Sequence, residues 1–127
     1  MPIYDVAALA EAFEVDERQL DNLLSRNEIA GVERRARGVT RRVTLDAAVA
    51  IRVALELTND LRVPSGHALR IAARITANPP EEVAVGSYGS LRFDVATIRG
   101  TTLERLDSAV EAVGRRRRGR PPTTQSG

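Results

Sequence analysis

The sequence predicts a mainly α-helical protein: a helix-turn-helix, an arginine-rich β-hairpin, two further helices, a small second hairpin and a C-terminal helix. Apolar residues recur at helical spacing between capping residues over most of the chain. Two short β-prone stretches, residues 32–43 and 82–95, interrupt that pattern. Aromatic residues make up only 3% of the chain, so Ala, Val, Leu and Ile must build the core.

The first two helices are expected at residues 6–13 and from residue 17 onward, with Asp5 and Asp16 as their N-caps. The apolar positions that should face the core are Val6, Leu9, Ala10, Phe13, Leu20, Leu23 and Leu24. Gln19 follows Asp16 at the spacing of a capping box. Asn27 is expected to end the second helix in the left-handed conformation that Asn tolerates.

An arginine-rich hairpin should follow, with residues 32–35 and 39–43 as strands and Gly38 in the turn. A helix-turn-helix followed by such a hairpin is a winged helix-turn-helix, an arrangement that binds DNA. The hairpin, or wing, carries Arg34, Arg35, Arg37, Arg41 and Arg42. These side chains are expected to contact the DNA backbone or enter a minor groove.

Capping and helix-breaking residues predict the bounds of the remaining elements. Thr44 caps a third helix over about residues 45–60, and a fourth helix runs from Ser65 to about Ala77, where prolines stop it. Residues 82–85 and 91–95 form the second hairpin. A capping box at Thr101 and Glu104 begins a last helix that ends near residue 113.

We divide the chain into a DNA-binding domain over residues 1–80, a hairpin-plus-helix unit over 81–113 and a basic tail over 114–127. The tail is expected to be disordered. In the last helix, the apolar stripe is either part of the core or a homodimer contact, and the spacing does not decide between them. That stripe comprises Leu103, Leu106, Val110 and Val113.

The charge distribution favours a polyanionic partner. All nineteen basic residues are Arg, and ten of them lie in two short stretches, residues 34–42 and 115–120, whereas the rest of the chain holds nine Arg against all seventeen acids. Such sign asymmetry steers a protein toward nucleic acid. The tail arginines are Arg115, Arg116, Arg117, Arg118 and Arg120.

The second helix supplies side chains that suit base edges, because Arg pairs with guanine and Asn or Gln with adenine. The candidates are Arg18, Gln19, Asn22 and Arg26. Glu17 and Asp21 on the same helix would repel phosphate, so the usable face is narrow. The alternative is a plain helical hairpin with a solvated charged loop.

Residues 4–57 resemble the winged-helix domain of the MerR and phage-excisionase superfamily. The matching segments are YDVAALAEAFEV, Asp16 to Leu24, Asn27-Glu28-Ile29 and RGVTRRVTLDAAVAI. Glu14 stands where the turn often has Gly, and Asn22-Leu23 replace an Arg-Tyr-Tyr run usual in MerR proteins. The resemblance implies a sequence-specific DNA-binding protein. The absence of cysteine and of a long coiled coil argues against a metal-sensing activator.

The tail segment RRRRGRPP resembles the AT-hook, whose core is Arg-Gly-Arg-Pro. In that motif Gly119 would let the backbone lie deep in a narrow minor groove, while Pro121 keeps the exit extended. Arg118 and Arg120 would then follow the groove floor. A generic basic tail is the alternative.

The expected function is a transcriptional regulator, located in the cytoplasm with the nucleoid, whose partner is double-stranded DNA. One alternative is an excisionase-like or nucleoid architectural protein that bends DNA, and another is an interaction adaptor such as an antitoxin. We expect no enzymatic activity, because no nucleophile, base and orienting group occur together. No cofactor or metal site is expected, and no apolar run is long enough to cross a membrane.

Overall fold

The computed structural model describes residues 3–33, 41–77 and 82–119, with residues 117–119 described for the backbone alone. Within these ranges the protein is mainly helical, with two small antiparallel strand pairs, which confirms the predicted mainly α-helical class. The helices are α1 (Val6–Phe13), α2 (Glu17–Arg26), α3 (Leu45–Leu61), α4 (Ser65–Ala77) and α5 (Val95–Gly119). The strands are β1 (Ile3–Asp5), β2 (Arg42–Thr44), β3 (Glu82–Val85) and β4 (Gly89–Arg92).

The two predicted aspartate caps begin α1 and α2. Asp5 Oδ1 accepts a hydrogen bond from the Ala8 N–H at 2.9 Å, and Asp16 Oδ1 accepts one from the Arg18 N–H at 3.3 Å. Each carboxylate thereby satisfies a backbone donor that the first helical turn leaves without a partner. Between the helices Glu14 adopts the left-handed conformation, with φ 56°, so the chain turns within three residues.

Asn27 ends α2, as expected, but not in the expected left-handed conformation. Its φ is −133°, which is extended backbone. The side-chain Nδ2 of Asn27 donates instead to the Leu23 carbonyl at 2.9 Å. Because the side chain satisfies a carbonyl of the last turn, no left-handed backbone is needed to do so.

A strand that the sequence pattern does not predict, β1, pairs antiparallel with β2, and Tyr4 lies opposite Val43. The predicted hairpin is present at its base, where Val32 bridges Val43 and the Glu33 N–H donates to the Arg42 carbonyl at 2.9 Å. The base of the hairpin therefore shares β2 with the β1–β2 pair. Its tip, residues 34–40, with the predicted turn at Gly38, lies outside the described residues.

Helices α3 and α4 match the predicted bounds and pack against each other. Thr44 Oγ1 accepts a hydrogen bond from the Ala47 N–H at 3.2 Å and so caps α3, as predicted. The core between these helices is aliphatic and includes Val49, Val53, Leu57, Ala68, Ala72 and Ile75. None of the described helices is long and apolar enough to cross a membrane.

The second hairpin is also present, formed by β3 and β4 with Val83 opposite Leu91. Strand β4 begins two residues earlier than predicted, because the turn contains only residues 86–88. Gly86 allows this tight turn with φ 63°. Val83 is buried, whereas Val85 and Tyr88 are exposed.

The predicted start of the last helix is wrong. Asp94 caps α5: the Thr97 N–H donates to Oδ1 at 3.2 Å, and the Thr97 hydroxyl donates to Oδ2 at 2.7 Å. Hydrogen bonding by Thr97 lowers the pKa of the Asp94 carboxyl below its ordinary value. Thr101, the predicted cap, lies inside the helix, where its hydroxyl donates to the Thr97 carbonyl at 2.9 Å.

The predicted end of the last helix is wrong as well, because α5 continues to Gly119. Residues 114–119 are therefore helical, which corrects the expectation of disorder for that part of the tail; residues 120–127 lie outside the described residues. Arginine is a good helix former, and cationic side chains near a helix C-terminus complement the helix dipole. The basic composition that indicated a tail therefore also suits the last turns of a helix.

One face of α5 packs inside the molecule against α1 and α3. Its buried residues are Val95, Thr102, Leu106, Ala109 and Val113. Of the predicted stripe, Leu106 and Val113 lie on this face, but Val110 is 48% exposed. The core interpretation of the stripe therefore holds for Leu106 and Val113.

Candidate nucleic-acid interface

The outward face of α2 carries polar side chains opposite its buried leucines. Leu20 and Leu24 are buried, whereas Arg18, Asn22 and Arg26 are exposed. Four-residue spacing keeps three successive side chains on one side of a helix. The structure thus brings three of the four predicted α2 residues onto one exposed face.

Two further α2 residues lie beside this face. Gln19, the fourth predicted residue, is exposed but lies toward α3 and α4, where it lines a cavity of about 130 Å³ with Thr58 and Ser65. Ser25 is exposed, and its hydroxyl donates to the Asp21 carbonyl at 2.9 Å. Ser25 was not among the predicted residues, although its position three residues after Asn22 places it on the same side of the helix.

Arg41 is the contact through which the arginine hairpin meets α2. Its Nη1 lies 3.1 Å from Asp21 Oδ1 and also donates to the Asp21 carbonyl at 3.2 Å and to Ser25 Oγ at 3.3 Å. The side chain of Arg41 is only 8% exposed, and that of Asp21 is 25% exposed. The Arg41 guanidinium is therefore largely buried and hydrogen-bonded within the protein, and its contact with DNA stays a prediction.

The other wing arginines divide into two groups. Arg42 is exposed on β2, one residue from the link to α2. Arg34, Arg35 and Arg37 lie outside the described residues. Glu33 and Arg41, the described residues on either side of the segment that carries these three, line a groove with Ser25 and Arg26 of α2.

The predicted tail arginines begin on α5 rather than in an extended segment. Arg115 Nη1 lies 3.3 Å from Glu111 Oε1 on the same helix, and Arg116 Nη2 lies 2.8 Å from Glu11 Oε1 on α1. Both arginine side chains remain 63% exposed.

Of the predicted AT-hook core, Arg118 and Gly119 belong to the backbone of α5, as does Arg117 before them. The extended conformation that a hook requires is therefore not present at Gly119, and this corrects the prediction there. Arg120 and Pro121 lie outside the described residues.

A basic surface on α4 was not predicted. His67, Arg70 and Arg74 are all exposed, and α4 contains no acidic residue. Their three- and four-residue spacing places them on one side of the helix, opposite the buried Ala68, Leu69, Ala72 and Ile75. Arg70 Nη2 lies 3.3 Å from His67 Nδ1. That spacing, in a helix without carboxylates, was a signal available in the sequence.

This α4 basic surface begins near α2. Ser65, the first residue of α4, shares the cavity with Gln19, and a Cβ added at Gly66 would lie 3.3 Å from Asn27 Oδ1. Arg18 and Arg26 on α2 are matched by Glu17 and Asp21, so α2 by itself carries no net charge. The cationic surfaces thus lie around α2 rather than on it.

The described residues were also searched for a metal site and for buried polar groups without a partner. No group of three or more His, Asp or Glu side chains in the described ranges could hold a metal ion. The Tyr4 hydroxyl is buried with no hydrogen-bond partner among the described residues, and burial together with the charge of Asp107 raises its pKa. Tyr4 packs in the core, so we assign it no functional role.

Comparison with protein-family models, with curated proteins and with solved structures finds no match.

Proposed function

We propose that this protein binds double-stranded DNA as a winged helix-turn-helix, with α2 in the major groove and the arginine hairpin on the adjacent backbone or minor groove. The proposal follows the MerR-like and excisionase-like resemblance of residues 4–57. It is supported by the short turn between α1 and α2 and by the paired base of the hairpin beside β2.

One observation carries the proposal: Arg41 fixes the hairpin base to Asp21 and Ser25 of α2, on the flank of the exposed polar face. A recognition helix needs short polar and Arg side chains directed outward, and Arg18, Asn22 and Arg26 meet that requirement. A wing contributes only if it is held at a fixed distance from that helix.

Phosphate contacts would come from the surfaces around α2. Arg42 and the hairpin tip provide one such surface, and the α4 basic surface provides another. If about six phosphates are neutralised, the logarithm of the binding constant falls with the logarithm of salt concentration with a slope of roughly −5. Binding that does not change between low and moderate ionic strength contradicts this part of the proposal.

The first test is the affinity of the full chain for duplex DNA of defined sequence, measured by fluorescence anisotropy over a range of salt concentrations. Asn22→Ala should relax sequence preference and cost about 1–3 kcal/mol on the preferred duplex. Asn59→Ala, an exposed asparagine at the end of α3, is the control and should leave both preference and salt slope unchanged. Equal losses in the two variants refute the role of α2.

The second test separates a transcriptional regulator from an architectural protein. A genome-wide occupancy map with one or a few operators supports the regulator that we propose. Spreading over A·T-rich DNA, or phased sites at attachment regions, supports the excisionase-like or architectural alternative instead. A two-fold symmetric footprint additionally indicates a dimer, because half-site spacing mirrors protein symmetry.

A further inference from the structure

Residues near the end of α5 line an open groove together with acidic residues of α1 and of the start of α2. The groove between them is lined by Glu11, Glu14, Asp16, Glu17, Arg115 and Arg116. Val113, which lies one helical turn before Arg116, is buried and so holds this part of α5 against the core. The arginine run at the end of α5 therefore starts beside α1, in the groove that Glu17 of α2 also lines.

One ion pair joins the two sides of the groove. Arg116 Nη2 lies 2.8 Å from Glu11 Oε1, across 105 positions of sequence. The Arg116 side chain is 63% exposed and the Glu11 side chain 39% exposed. Ion pairs this exposed are weak, so another anion can replace the carboxylate. Phosphate is a suitable competitor, because guanidinium binds phosphate oxygens through paired hydrogen bonds.

Resting on the proposed DNA binding, we infer that Glu11 is an autoinhibitory residue that holds Arg116 in the unbound protein until a DNA phosphate takes its place. The Arg116–Glu11 pair must then break before Arg116 can neutralise a phosphate. Removal of the Glu11 carboxylate should therefore raise affinity for DNA, but only while Arg116 is present. Simple repulsion between Glu11 and DNA would raise affinity whether Arg116 is present or not.

A double-mutant cycle in the full chain distinguishes these cases. The affinities for one duplex at low salt are measured for the unaltered chain, Glu11→Gln, Arg116→Gln and the double variant. Glu11→Gln should tighten binding about two- to fivefold in the unaltered background, which is the range expected for one exposed pair. In the Arg116→Gln background the gain should disappear. An equal gain in both backgrounds overturns the inference.

Glu14→Gln is the matched control. It makes the same charge change in the same groove, and Glu14 forms no ion pair with Arg116 in the described part of the chain. Its effect on affinity should be the same with and without Arg116. A Glu14→Gln effect that depends on Arg116 as strongly as that of Glu11→Gln overturns the assignment to Glu11.

A measurement without DNA tests the Arg116–Glu11 ion pair independently of the proposed DNA binding. Nitrogen relaxation of the Arg116 guanidinium should show faster motion in Glu11→Gln and no change in Glu14→Gln. Unchanged Arg116 motion in Glu11→Gln overturns the inference even if DNA binding is established. If the chain binds no duplex DNA, the proposed function fails and the autoinhibitory role fails with it, whereas the relaxation result still reports whether Glu11 holds Arg116.

Discussion

Replacing Arg41 by alanine tests how the hairpin is attached to α2. The substitution removes three hydrogen bonds from one guanidinium nitrogen, to the Asp21 carboxylate, the Asp21 carbonyl and Ser25 Oγ. It also leaves the Asp21 carboxylate, which is 25% exposed, without this cation. We expect Arg41→Ala to lower stability because a partly buried acceptor loses a charged donor.

The magnitude lies between two limits. Breaking a fully buried ion pair by removing one partner costs about 3–5 kcal/mol, and an exposed pair contributes about 0–1 kcal/mol. Arg41 is 8% exposed and Asp21 is 25% exposed, so a loss of roughly 2 kcal/mol is expected. For a chain of this size that corresponds to a fall in Tm of roughly 6–10 °C.

The assay is thermal and denaturant unfolding followed by circular dichroism, combined with the salt dependence of DNA binding. Arg42→Ala is the matched control, since Arg42 is the next residue and is exposed. It should change stability by no more than about 0.5 kcal/mol and make the salt slope shallower by about one. Arg41→Ala, by contrast, should lower the free energy of unfolding by roughly 2 kcal/mol. If Arg41→Ala leaves Tm unchanged and reduces the salt slope as Arg42→Ala does, Arg41 is a phosphate contact and the structural link is refuted.

Three further predictions concern the rest of the molecule. Arg70→Gln combined with Arg74→Gln should reduce the salt slope by about two without loss of stability, measured by anisotropy and unfolding; an unchanged slope excludes the α4 basic surface from binding. The lowered pKa of Asp94 means that its charge stabilises the fold above the ordinary Asp pKa, at about 4, and that this contribution is lost as the pH falls through the folded pKa. The Tm difference between the unaltered chain and Asp94→Asn should therefore shrink as the pH falls from about 5 to about 2, and a constant difference contradicts this assignment. Gly31→Ala should destabilise the fold by more than Gly86→Ala, because both have positive φ but only at Gly31 would a Cβ collide with neighbouring side chains; equal Tm changes would show that the hairpin base tolerates the contact.

The sequence could predict the helices whose ends depend on local chemistry. Asp5, Asp16 and Thr44 are capping residues followed by helical apolar spacing, and each caps the helix expected of it. The same rule predicted the wrong start for α5. Thr101 and Glu104 have the spacing of a capping box, but they lie inside a helix whose N-cap is Asp94. Capping spacing marks a helix start only if the preceding residues are not helical.

Features that depend on distant partners could not be predicted. Strand β1 is three residues long, too short for an alternating pattern, and it forms because β2 pairs with it some forty positions later. Arg41 looked like its neighbour Arg42 in an arginine-rich run, and only the position of Asp21 on α2 explains why Arg41 is buried whereas Arg42 is exposed. The α4 basic surface could be predicted from the spacing of His67, Arg70 and Arg74. Its position near α2 could not, because it depends on the packing of α4 against α3.

The charge on α2 has a consequence for how the proposed binding would divide its tasks. Glu17 and Asp21 offset Arg18 and Arg26, so this helix adds almost nothing to a salt-dependent attraction. Affinity would come from the hairpin and α4, whereas discrimination between sequences would come from Asn22 and its neighbours, because phosphate contacts position a protein and base contacts specify the site. Substitution of Asn22, the neutral residue on the outward face of α2, should then change which duplex is preferred while leaving the salt slope nearly constant. Substitutions at Arg42 or on α4 should make the salt slope shallower and leave the preferred duplex unchanged. If both kinds of substitution change both the salt slope and the preference, this division is contradicted.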